Sequence, residues 1–410
     1  MAADHAAATN LLGRASALLH DDDPARMELE CLLAQALRGL GVVDERITLL
    51  QTVAERARRT DDRRLGLRAE VELVHPKLEA GTLRAVDAEQ LLEAALAVFA
   101  EEGDTLGIAR AEFAYASVLG NWGKRIDAGR EHVRLMRDAY ARLGYPGQGS
   151  AQEVAFATLG GTPVGDALSL CARSLDEALD SPRVAAYLRM QLAYLEALAG
   201  DVESARSSAA RASDELEALG EELGRGVVIG SQRAAIEALA GDWVRARELL
   251  ELALASVRAH PSQRAWEAYF LARLAEAAIE STDVADAVSL AAAARPLVVA
   301  GDADTEAWWR RVACRALAAT GDRRKALRLG REAVALADAT DDLLAQGGAR
   351  LDLAEALVHV GRTADAARLV EEALVVLDRK GATLPASNAR ERFADLLAER
   401  VERAAARRGG

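Results

Sequence analysis

Aromatic residues are scarce in this chain: Phe, Trp and Tyr together make 4% of its 410 residues. A sheet-built domain covers its pleated faces with aromatic and β-branched side chains, so the shortage argues against a sandwich or barrel. Cysteine is scarce too. Cys31, Cys171 and Cys314 lie far apart, with no metal-ligand spacing and no disulfide framework, which fits the reducing cytoplasm. No apolar run reaches 18 residues, and the N-terminus lacks a basic stretch followed by an apolar one. Neither a membrane span nor a signal peptide is legible. Positive charge is outweighed, 51 Lys+Arg against 64 Asp+Glu, giving a net charge of −13. Such a chain lacks the basic footprint that nucleic-acid phosphates require.

What the chain has is apolar residues, 51% of the total, and repetition. Ala193 through Gly200-Asp201 to Ala205 reads as a helix end, a turn and a new helix. The same pattern runs from Ala234 through Gly241-Asp242 to Ala246, from Cys314 through Gly321-Asp322 to Ala326, and from Ala354 through Gly361-Arg362 to Ala366. Taking the residue just after each turn as a marker gives Ala8, Arg46, Ala88, Ala128, Ala167, Ala205, Ala246, Ala287, Ala326 and Ala366. The period is about 40 residues. The positions twelve before the markers are small except Pro76, and most of those seven after are small as well. Short side chains in register mark the places where two helices approach closely.

The spacing predicts about twenty alternating helices. First helices fall near 25–39, 64–74, 104–119, 148–159, 184–199, 225–240, 264–280, 304–319, 344–360 and 386–406. Second helices fall near 4–19, 43–59, 84–101, 124–143, 164–179, 202–219, 242–259, 284–300, 322–339 and 362–380. His75-Pro76 is expected to end its helix early, and Pro296 to kink or shorten another. The Gly- and Pro-rich stretch 144–150 is the candidate hinge. Residues 386–410, with Arg400, Arg403, Arg407 and Arg408, read as a polar capping helix. The helix near 4–19 has no first helix before it, so the chain reads as opening in mid-repeat. Its Leu11 and Leu18 face would invite the rest of a parent protein or a second copy in a homodimer.

The helix–turn–helix unit, with Gly-Asp at the turn and small residues at the close contacts, resembles the tetratricopeptide repeat (TPR), in a version somewhat longer than the usual 34 residues. That implies an all-α, right-handed superhelical solenoid of about ten TPR-like helix pairs, formed by residues 1–410 as one domain. More finely, the chain is similar to the C-terminal TPR region of bacterial, actinobacterial-type signalling proteins with an adenylate/guanylate cyclase or other output domain and a central ATPase. The stretches that carry this are Ala8 to Ala15, Pro163 to Ala167, Arg331 to Asp341, Asp352 to Leu357, and Glu372-Ala373-Leu374 to Lys380-Gly381-Ala382. LuxR-type transcription regulators carry similar tails. Arg46 and Pro76 depart from the pattern.

Signatures of catalysis fail in turn. Gly120 to Arg125 offers a Gly-Lys pair, but Val118 and Arg125 stand where a phosphate loop needs Gly and Ser/Thr. His5, His20, His75, His132, His260 and His359 show no helical ligand spacing. Asp21-Asp22-Asp23 reads as a helix cap ahead of Pro24. The reading is therefore of a protein that is not an enzyme, has no cofactor or metal, and binds a protein or peptide along a concave face. First helices line that face in stacked helix pairs. The inward stripe of one unit is Trp308, Arg311 and Arg315. Upstream units place Tyr187, Met190 and Tyr194, and then Arg110 and Phe113, at the matching positions. Trp with two Arg suggests a clamp for an acidic or carboxylate-ended peptide. The alternative is that these aromatics pack between repeats and the arginines balance nearby acids.

Overall fold

The Gly-Asp turns set the architecture. In a computed structural model, which describes residues 5–40, 42–178, 181–221, 230–259 and 264–398, Gly103, Gly200, Gly241, Gly301 and Gly321 all take positive φ. Each is followed by an Asp whose carboxylate accepts a backbone N–H of the next helix's first turn. At every one of these except Gly301 the left-handed glycine closes the preceding helix, and at all five the aspartate caps the next, which meets orphan groups at the helix ends.

The helices are His5–Ser16 (α1), Pro24–Gly39 (α2), Val43–Arg59 (α3), Arg63–Glu79 (α4), Ala85–Glu101 (α5), Thr105–Ser117 (α6), Ile126–Arg142 (α7), Ser150–Leu159 (α8), Val164–Glu177 (α9) and Pro182–Ala199 (α10). They continue as Val202–Ala218 (α11), Gly230–Leu239 (α12), Trp243–Arg258 (α13), Arg264–Glu280 (α14), Val284–Ala294 (α15), Ala303–Ala319 (α16), Arg323–Asp338 (α17), Leu343–His359 (α18), Thr363–Lys380 (α19) and Thr383–Arg392 (α20). No strand occurs among the described residues. The chain is an all-α helical-repeat solenoid. The start of the helix expected at 225–240, and the four arginines of the expected cap, lie outside the described residues.

Each even-numbered helix packs on the odd-numbered helix that follows it. Even-numbered helices also pack on one another: α2 on α4, α4 on α6, α8 on α10, α14 on α16, α16 on α18. No pair of odd-numbered helices packs as closely. The even layer is therefore the inner one. Ala34, Ala193, Ala234, Ala275, Cys314 and Ala354 are fully buried at the closest approaches, as are Ala88, Ala205, Ala287, Ala326 and Ala366.

Three local expectations are corrected or refined. First, α4 does not end at 74 but runs through Pro76. A proline inside a helix orphans the carbonyl four residues before it, here that of Glu72. Arg46 Nη2 donates to that carbonyl at 2.8 Å. The two departures from the repeat pattern thus complement each other. Second, Ala128 is exposed, and Gly129 is buried in its place. Between α6 and α7 the chain makes a π-turn, Val118–Trp122. A π-turn inserts one residue, so the phase slips by one, and Met136 rather than Leu135 enters the core. Third, α15 stops at Ala294, and Pro296 sits in a short 3₁₀ turn beyond it.

The solenoid also closes on itself, which no repeat count foretold. Lys380 is fully buried, and its Nζ donates to the carbonyls of Ala157, Gly160 and Thr162 at 2.9, 2.7 and 2.7 Å, residues 218 to 223 positions away. Lys124 Nζ reaches Asp304 at 3.2 Å and Asp342 at 3.7 Å, and its carbonyl accepts from Asp341 N–H. His5 meets Glu221 at 2.8 Å. One turn of the superhelix therefore rests on the next after roughly five repeats.

Candidate binding face

The first helices present charged and aromatic side chains to the interior, and closure brings distant ones together. In the C-terminal half, Trp308 on α16 lies between two guanidiniums, Arg273 Cζ at 4.2 Å and Arg311 Cζ at 4.5 Å from the ring centre. Its indole N–H is buried without an acceptor among the described residues. Arg311 is buried and donates to Asp352 at 2.7 Å. Arg315 is more buried still, within 2.7 Å of Glu280, 3.0 Å of Glu355 and 3.7 Å of Asp352. Arg392 on α20 joins the same Glu280 and Glu355. The carboxylates that these arginines hold are the chain's own. A clamp formed by Arg311 and Arg315 on a partner's acid would have to displace them.

In the N-terminal half, Arg110 on α6 grips Glu72 of α4 through Nε at 2.5 Å and Nη2 at 2.8 Å. Phe113, one turn on, has Arg38 Cζ at 5.4 Å and Arg110 Cζ at 5.6 Å from its ring centre, and His75 against it at 5.6 Å. Burial would raise the Glu72 carboxyl, but Arg110, Arg46 and Arg38 outweigh it and hold it down to about 2. Burial, then Arg38 and Arg46, push His75 down to about 3, so its ring is neutral. Tyr187 on α10 is half-buried, with the Arg183 guanidinium 5.5 Å from its ring and Glu221 3.5 Å from its hydroxyl. Arg183 is also paired with Glu221.

The two halves touch between them. Trp266 Nε1 donates to Glu79 at 3.2 Å. Tyr194 is half-buried within the electrostatic reach of Arg273, Asp342 and Tyr269, and burial raises its phenol. Met190 is the exception among the expected residues. It is fully buried in a cluster with Ala186, Ala193, Ala205 and Ile236, because its side chain turns toward α11 rather than inward. Phase arithmetic missed Arg38, Arg183 and Arg273, which flank the expected stripe. Arg183 and Arg273 each stand three or four residues from an aromatic of the same first helix, a weak signal in an Arg-rich chain, and Arg38 had no such signal.

Gly120 to Arg125 forms no phosphate loop. A side chain at Gly120 would collide with the Phe156 ring, and Lys124 is committed to Asp304 and Asp342. Among the described residues no group of three His, Cys, Asp or Glu is gathered to hold a metal, and no helix is long and apolar enough to cross a membrane. Burial raises all three thiols to about 12.

No family model and no curated protein matches the chain. Solved structures similar to it include the Cut9–Hcn1 hetero-tetramer of the APC/C, 11% identical over 91% of this chain and 73% of that one, with a TM-score of 0.54. The apo quorum sensor NprR from B. thuringiensis is 11% identical over 85% and 97%, with a TM-score of 0.47. A Rap protein complexed with competence and sporulation factor is 13% identical over 92% and 99%, with a TM-score of 0.43. At these identities the likeness is one of fold, and it is the first that carries it: this chain shares the TPR-like helical solenoid.

Proposed function

We propose that the chain is a non-catalytic binding module that takes a protein or peptide segment on its inner face, as the scaffold or sensory arm of a larger bacterial signalling protein. The observation that supports this best is the set of half-buried aromatics on first helices, Phe113, Tyr187, Tyr194 and Trp308, each beside arginine. Trp, Tyr and Arg are enriched among the few residues that supply most of the binding energy at protein interfaces. Partner contact falls on these rings. Arg311 and Arg315 serve to hold the wall that carries Trp308.

The test is selection of peptides against the full chain, followed by affinity measurement on the doubly changed Tyr187→Ala, Trp308→Ala protein. Affinity falls at least tenfold while the far-ultraviolet circular dichroism spectrum is kept. Peptides that bind the double variant as tightly as the parent would place the binding surface elsewhere.

A further inference from the structure

One guanidinium of the inner face is in no ion pair among the described residues. Arg38, in the last turn of α2, makes no hydrogen bond or ion pair with the described residues. Among the described residues it lies over the Phe113 ring, and it is half-buried rather than extended into solvent. The acids facing it are taken. Glu72 is held by Arg110 with Arg46 beside it, Glu221 by Arg183 and His5, and Glu79 accepts from Trp266. Arg110 and Arg183 add like charge within electrostatic reach, and burial followed by Arg110 lowers the proton affinity of Arg38. Glu72 and Glu79 offset part of its charge, but with Arg46, Arg110 and Arg183 alongside the local cations outnumber the acids, and burial of the excess cation is costly. Arg183 also keeps donors in hand: it uses Nε on Glu221, so its outer amines are left over among the described contacts. Arg110, with Nε and Nη2 on Glu72 and a further bond to Tyr140, adds its positive charge.

We propose that Arg38, with Arg110 and Arg183 beside it and Phe113 as its floor, is a binding site for an oxyanion, a carboxylate or a phosphate group. A planar guanidinium fork matches two oxygens of such a group at once. A single negative charge balances the four local arginines, Arg38, Arg46, Arg110 and Arg183, against the three glutamates. The site rests on the inner face being the binding face. Simple anions probe it without any protein partner, so its failure would leave partner binding at Trp308 and Tyr194 standing.

The experiment is a thermal melt of the full chain in chloride buffer at fixed ionic strength, titrated with sodium phosphate and, separately, with sodium acetate. At least one anion raises the melting temperature saturably. Saturation by phosphate alone assigns a phosphate, by acetate alone a carboxylate, and by both the shared oxyanion chemistry. Arg38→Gln shifts the half-saturation point at least tenfold, while the surface change Arg324→Gln leaves it in place. In chloride alone, Arg38→Gln melts at or above the parent temperature, because it removes an unbalanced cation. If neither anion saturates, if Arg38→Gln responds as the parent does, or if Arg38→Gln melts well below the parent in chloride, the proposal is overturned.

Discussion

Phe113 lies beside Arg38 and Arg110, and Trp308 lies between Arg273 and Arg311, yet the acids are shared out differently around the two rings. Around Trp308 the acids suffice. Arg273 has Glu276, Arg311 has Asp352, and Arg315 has three carboxylates within 4 Å. Around Phe113 they do not, and Arg38 is left over. The same residue types on first helices thus do two kinds of work. A saturated arginine fixes the wall, and an unsaturated one leaves a charge for something outside the chain. Residue type and a place on the inner layer do not separate these cases; the count of acids within reach does.

The sharpest way to break this comparison is to delete a saturated arginine. Arg315→Ala leaves Glu280, Asp352 and Glu355 facing one another in a buried place, and should cost about 3–5 kcal/mol in urea unfolding. A loss below ~1 kcal/mol would show that the acids there do not depend on it. Next comes acid pH. His75 is held neutral, so it resists protonation when folded and accepts a proton near 6.5 when unfolded. Between those values the unfolded chain binds more protons, and stability therefore falls as pH falls. By pH 5 this amounts to about 2 kcal/mol. Asp302 acts the other way, because burial raises its carboxyl to about 6 and its protonation favours the folded state. His75→Gln should flatten the decline measured by melting between pH 7 and 5, and an unchanged slope would move the effect to other groups.

Smaller is the Arg46–Pro76 pair. Arg46→Ala should cost about 1–3 kcal/mol by leaving the Glu72 carbonyl without a donor. In a Pro76→Ala background the new N–H can serve that carbonyl. The double-mutant cycle should then show coupling above ~0.5 kcal/mol, and strict additivity would mean that the bond is idle. The smallest effect is the other half of the comparison. Arg38→Gln in chloride should stay within ~0.5 kcal/mol of the parent or gain stability, against the large loss at Arg315.

Much of this was legible in the sequence, and the parts that were not share a cause. Small residues at Ala193, Ala205 and Ala354 announced the close contacts, because helix separation is set locally by side-chain size. The Gly-Asp turns announced the caps. The π-turn at Val118–Trp122 was invisible, since it adds a residue without a composition signal, and it shifted the fourth unit by one. Pro76 misled because its rescue by Arg46 comes from another helix. The stripe arithmetic found Arg110, Phe113, Tyr187, Tyr194 and Trp308 on the inner layer. It failed for Met190, where one rotation about the helix axis separates the core from the inner face. Which arginines lack partners depends on how repeats far apart in sequence are stacked, a sum of small rotations that no single unit encodes.

The stacking of one superhelical turn on the next has a consequence for time as well as for shape. With Lys380 seated on the end of α8 and Lys124 bridging to Asp304 and Asp342, the slot between turns is stapled shut along these points. Under the proposed function, a peptide held at the inner face is then barred from peeling away sideways. It must thread out along the axis or wait for a staple to part. Loosening one staple, as in Lys380→Met, should therefore quicken both arrival and departure in stopped-flow traces, leaving the ratio of the two rates, and so the equilibrium affinity, far less changed than either rate.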